Sequence, residues 1–218
     1  RLPEAAAVVC AGGPCVAMVP RGRRLQVQSL RRGDWMREVA SLRMEGDPWA
    51  VVAGAAMPCG RLPGQATAAA ESSGAALCLV LAGWDGRALS VASLPLAAGG
   101  GVAPVGVVRP YLDVPLDPGD LDAGVAAIAV EARSGRLWVL LADGRGVLAW
   151  DLLAPRGVGR WSWSAPAGVE LHALCEDAGA AGLLALGRGG GGAPPGAAAD
   201  ARLLRADLPP AFAADAPG

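Results

Sequence analysis

Lysine and asparagine are absent from this 218-residue chain, and Phe212, Tyr111, Ile128, Thr67 and His172 are each the single residue of their type. All 19 basic residues are therefore arginine. The missing and rare residues mostly have AT-rich codons, whereas the abundant Ala, Gly, Arg and Pro have GC-rich ones, so a GC-rich genome accounts for the bias. The 32 glycines and 18 prolines then do not by themselves denote disorder. A hydrophobic fraction of 53% argues the same way. A net charge of −1 gives no overall pull toward nucleic acid or an anionic membrane. Arg21, Arg23, Arg24, Arg31, Arg32 and Arg37 cluster early, and Asp113, Asp117, Asp120 and Asp122 cluster mid-chain. Both read as solvated loops, and the arginines lack the interleaved aromatics of a nucleic-acid site.

Further absences exclude specific chemistries. The five cysteines Cys10, Cys15, Cys59, Cys78 and Cys175 form no C-x-x-C, and with a single histidine no zinc centre is expected. Most lie in apolar runs, where a free cysteine behaves as a small hydrophobe, so a reducing compartment, cytoplasmic or nuclear, is the expectation. No G-x-S-x-G is present, and Ser72-Ser73-Gly74 lacks the flanking glycine a nucleophile turn requires. His172 and Cys175 stand three apart on an expected strand, hence on opposite faces. The loop DVPLDPGDLDAG does not follow the EF-hand pattern. Gly187–Gly192 is followed by Ala-Pro-Pro-Gly rather than a helix, so residues 188–200 read as a flexible insertion and not a phosphate loop. The uncharged run Ala88–Val108 is broken by Pro95, Gly99-Gly100-Gly101 and Pro104, so no membrane span is expected. No catalytic, cofactor-binding or metal-binding residue is assigned.

What is present is a series of short apolar segments bounded by Gly, Pro, Asp or Arg, the pattern of strands. Gly124–Leu152 is the clearest case. It reads as strands Val125–Glu131, Leu137–Ala142 and Val147–Leu152, joined by turns at Arg133-Ser134-Gly135 and Asp143-Gly144. A fourth strand is expected over Val158–Trp163. Related hairpins end at Leu30, Leu94, Leu152 and Leu208, a recurrence spaced by about 60 residues. Trp35–Leu42, Trp49–Ala55, Val102–Val108, Trp161–Trp163 and Val169–Cys175 supply further strands. Met57–Ser73 and Pro110–Ala123 read as long loops. The expectation is an all-β propeller of about four four-stranded antiparallel blades over residues 1–208, the last without its outer strand, as part of a larger ring. Residues 209–218 form a Pro/Gly/Ala tail, and with Arg1 at the start the chain reads as part of a longer polypeptide.

Within Gly124–Leu152, the turn Asp143-Gly144 and the dipeptide Trp150-Asp151 resemble a WD-repeat propeller blade. Asp85-Gly86 repeats the turn. The resemblance implies that Asp85, Gly86, Asp143, Gly144, Trp150 and Asp151 are blade-structural, with Asp143 and Trp150 occupying two positions of the family's buried hydrogen-bonded network. The strand pattern is also similar to the regulator-of-chromosome-condensation propeller repeats. The functional expectation is a non-catalytic platform for other proteins, without nucleic acid, membrane or cofactor. Trp161 and Trp163 share one strand face and are the candidate partner-binding pair if exposed. The alternatives are a hydrolase or lyase with a polar channel site using acids such as Glu131 or Asp177, and a regulatory domain of a larger enzyme.

Overall fold

The computed structural model describes residues 7–10, 15–30, 37–45, 47, 49–62, 76–96, 107–153, 160–177, 182–189 and 201–207. Its strands form four sheets built mainly by antiparallel pairing of chain neighbours. The first contains β1 (Ala7–Cys10), β2 (Cys15–Arg21), β3 (Arg24–Ser29) and β4 (Arg37–Met44). The second contains β5 (Val51–Pro58), β6 (Leu77–Trp84), β7 (Leu89–Leu96) and, at its outer edge, β9 (Pro110–Val114). The third is β10 (Val125–Glu131), β11 (Arg136–Leu141), β12 (Gly146–Asp151) and β13 (Arg160–Ser164). The fourth is β14 (Val169–Asp177), β15 (Gly182–Gly189) and β16 (Ala201–Asp207). The short β8 (Val107–Val108) joins the first sheet by parallel pairing with Arg43-Met44 of β4. This is an all-β, propeller-like arrangement.

The turns explain why these segments pair with their neighbours. Between the second and third strands of the first three sheets stand Gly22, Gly86 and Gly144, with φ of 55°, 97° and 66°. A tight hairpin turn needs this left-handed backbone, which glycine adopts without a Cβ clash. Asp85 Oδ1 accepts hydrogen bonds from the Arg87 and Ala88 amides at 2.8 and 2.7 Å, and Asp143 Oδ1 accepts one from the Arg145 amide at 2.8 Å. These side chains close the turn on themselves.

Alternation along the strands then builds three apolar cores between the four sheets. Met18, Leu25, Val27 and Leu42 meet Leu79, Leu81 and Leu94 between the first and second sheets. Val80, Trp84 and Val91 meet Val139, Leu148 and Trp150 between the second and third. Trp138, Leu140 and Ala149 meet Leu171, Leu183 and Ala185 between the third and fourth. β6, β7, β11 and β12 are buried on both faces, as expected of strands covered from two sides. The innermost strands β1, β5, β10 and β14 pack against one another in that order. Among the described residues no fourth core joins the last sheet to the first.

Several expectations are corrected. Pro110–Ala123 is not a loop: Pro110–Val114 is the outer strand of the second sheet, and Pro118–Ala123 is a short helix with Asp117 as its N-cap and Gly124 at its C-terminus. Of the expected strand Val102–Val108 only the end, Val107–Val108, lies among the described strands, and it pairs with the first sheet. The expected loop Met57–Ser73 begins with the end of β5 and a single 3-10 turn, Cys59–Arg61. Residues 63–75, including Ser72-Ser73-Gly74, lie outside the described residues, as do 190–200 and the tail. The cysteines are not all free. Cys59 and Cys78 form a disulfide with a Cα–Cα distance of 5.0 Å, and Cys15 is also disulfide-bonded. Cys175 is free and exposed. Spacing in the sequence could not reveal the 59–78 pair, because it is made by the β5–β6 register, which sets Met57 opposite Cys78. No helix among the described residues is long and apolar enough to cross a membrane.

Candidate functional site

A concavity lies between the third and fourth sheets, at the end that carries the β11–β12 hairpin turn. Its volume is about 690 Å³. One wall is the β11–β12 turn, contributing Asp143 and Arg145; the other is the β13–β14 connection, with Ser164, Ala165, Pro166 and the adjoining Glu170. The sequence fixes this connection locally. Pro166 and Gly168 (φ 77°) place the chain in a tight bend closed by the Val169 amide donating to the Pro166 carbonyl at 3.1 Å.

Backbone hydrogen bonds lock the two walls together. The Ala165 amide donates to the Arg145 carbonyl and the Leu171 amide to the Gly144 carbonyl, each at 2.8 Å. Gly144 is required twice over. Its φ is in the left-handed region, and a Cβ there would stand 2.5 Å from Glu170 Cγ. The cleft thus has a rigid frame carrying a guanidinium and two carboxylates on exposed or half-buried side chains, beside small apolar residues. Such a lining suits recognition of a polar or charged segment. It presents no paired nucleophile and base.

The blade-structural candidates fall at distinct places. Asp85-Gly86 and Asp143-Gly144 occupy equivalent turns of the second and third sheets. Trp150 is fully buried in the core between those sheets, and its indole Nε1 has no hydrogen-bond partner. Asp143 is engaged in its own turn, so the two residues do not share a hydrogen-bonded network. Asp151 Oδ1 accepts from the Leu153 amide at 2.8 Å and caps the end of β12. Trp161 and Trp163 are half-buried on β13 and pack on the third core, where Trp161 meets Trp138 edge-on at a centroid distance of 5.8 Å.

The weighed chemical candidates do not converge. His172 and Cys175 are both exposed, because a bulge between Leu171 and Ala173 interrupts the alternation expected of β14. Glu131 accepts from the Arg133 amide in its own turn. The side chain of Asp177 lies outside the described residues. The mid-chain acidic cluster is divided among structural tasks. Ser90 Oγ donates to Asp113 at 2.9 Å, and Arg160 bridges Asp117 and Asp120, the latter at 2.6 Å. Burial pushes the Asp120 carboxyl up from its usual range. Among the described residues no group of three or more His, Cys, Asp or Glu side chains could hold a metal ion. Sequence reasoning did not find the β13–β14 bend or Arg61, whose guanidinium donates to the Ala132 and Arg133 carbonyls at 3.4 and 3.0 Å and pins the second sheet to the third. The Pro166–Gly168 turn signal was the available clue to the bend.

No family model matches the chain, and no curated protein matches it at a significant level. Among solved structures, a structural-genomics protein from Lactobacillus plantarum is similar over 83% of this chain and 50% of its own, with 12% identity and a TM-score of 0.45. The chain therefore spans half the length of that protein.

Proposed function

We propose that this chain is a non-catalytic platform for protein partners, with the cleft between the third and fourth sheets as the seat for a partner segment. The observation that carries this reading is the rigid concave frame made by the Asp143-Gly144-Arg145 turn and the Ser164–Glu170 connection. Charges of both signs line it over a floor of small residues, a composition suited to recognition. At the family level the reading is a divergent WD-like propeller, supported by the Asp143-Gly144 turn and by Trp150-Asp151 at the end of β12. A buried disulfide at Cys59–Cys78 favours an oxidising compartment over the cytoplasm or nucleus.

The test is comparative capture. Wild-type chain and the charge-reversed R145E/E170R variant are immobilised, and bound proteins are compared by quantitative mass spectrometry. A control variant, R133E, alters the β10–β11 turn at the other end of the third sheet. The proposal expects a protein retained by wild type and R133E and lost from R145E/E170R. Identical retention by all three would overturn the assignment of the cleft.

A further inference from the structure

Three of the clustered arginines that read as a solvated loop, Arg21, Arg23 and Arg24, are joined by Arg43 at one end of the first sheet. In the first sheet Arg21 stands opposite Arg24 across β2–β3, and Arg24 stands opposite Arg43 across β3–β4. Cross-strand partners point to the same face. Three guanidinium-bearing side chains therefore cross one end of the sheet in register, and Arg23 adds a fourth at the tip of the turn. All four residues are exposed. The row is held firmly. Gly22 takes the left-handed conformation of the turn at φ 55°, and the Met44 amide donates to the Arg23 carbonyl at 3.0 Å.

Like charges placed directly opposite one another oppose sheet formation, and two described acids of this sheet are engaged elsewhere. Glu45 is paired with Arg109 at 3.3 Å, and Glu38 accepts from Gln26 Nε2 at 2.9 Å. Among the described residues Arg23, Arg24 and Arg43 form no ion pair. The row also lies on the face turned away from the core shared with the second sheet: Leu25 and Leu42, the next residues along, point into that core.

We propose that this corner of the first sheet docks an acidic protein segment, with Arg23, Arg24 and Arg43 receiving its carboxylates. Charge complementarity selects the occupant. Planar guanidinium forks match carboxylates bidentately. Nucleic acid is disfavoured because, among the described residues, the exposed side chains of this corner include no aromatic to stack a base, and the row spans only three strands. With a net charge of −1, the molecule supplies no wider positive field. This surface is separate from the cleft between the third and fourth sheets, and either assignment can fail alone.

The experiment is fluorescence anisotropy with the whole chain, using a labelled Glu-rich peptide and a labelled single-stranded oligonucleotide of similar length as probes. Saturable peptide binding is expected at low salt, weakened at least tenfold in the R23Q/R24Q/R43Q variant and by raised salt. The R145E/E170R variant should bind the peptide as wild type does. Relief of the like-charge row should leave the triple variant with a melting temperature no lower than wild type; the single R43Q variant, with an expected severalfold loss of binding, serves as an independent check. Equal binding by wild type and both arginine variants, no peptide binding at low salt, or tighter binding of the oligonucleotide than of the peptide would each overturn the proposal.

Discussion

Tyr111, the single tyrosine, sits on β9 against the core between the second and third sheets, and its buried hydroxyl has no hydrogen-bond partner. Burial disfavours the phenolate and pushes its pKa up to about 12. A raised pKa on this acid means that the folded state holds the proton more tightly than the unfolded state. The resulting stability is complete below the unfolded value of about 10 and is lost as pH rises through the folded value. Phenolate absorbance should titrate near the higher value in native protein and near the lower one in denaturant. Removing the unpartnered hydroxyl with Tyr111→Phe should stabilise the fold by about 1 kcal/mol in denaturant unfolding. Gly144 makes the opposite case. A side chain there strains the left-handed turn and meets Glu170, so Gly144→Ala should cost at least about 1–2 kcal/mol. The need for glycine was legible in Asp143-Gly144 as a turn signal, but the contact with Glu170 was not, since it joins separate sheets.

At the level of elements, the third sheet was nearly complete in the sequence. Uninterrupted apolar runs separated by Ser134-Gly135 and Asp143-Gly144 mark its strands directly, and the observed segments follow them. The outer strand of the second sheet was hidden. Pro110–Val114 contains a proline and Asp113 and looks like turn sequence; pairing with β7 and the Ser90–Asp113 hydrogen bond make it a strand. The Cys59–Cys78 bridge ties the start of β6 to the residue after β5 across a sequence separation of 19. Replacing both residues by alanine should lower stability by about 3 kcal/mol, because the unfolded chain regains the entropy of the closed loop. Comparing unfolding of this variant with that of wild type, with and without reductant, checks it: reductant should destabilise wild type and leave the variant less affected.

For the whole molecule, among the described residues three cores join the four sheets, and the outer faces of the first and fourth sheets join no fourth core. That of the fourth sheet carries Leu186 and Leu203, in register across β15–β16 and 45% and 72% exposed. Side chains of this size placed together in water favour association. The L186Q/L203Q variant should therefore sediment with less self-association than wild type, while its unfolding free energy changes by no more than about 0.5 kcal/mol. Unchanged association would show that this face does not drive contact. The candidate cleft also belongs to this scale, since neither the β11–β12 turn nor the Pro166 bend forms a concavity until the third and fourth sheets pack.

The sequence alone determined the strands, most of their order and the turns between them, because alternation and turn chemistry act over a few neighbouring residues. Tertiary structure decided which cysteines meet, that Asp143 serves its own turn while Trp150 Nε1 stays unpartnered, and that scattered arginines form a row. Those outcomes depend on register and on packing between sheets, and both are set by residues far apart in the chain.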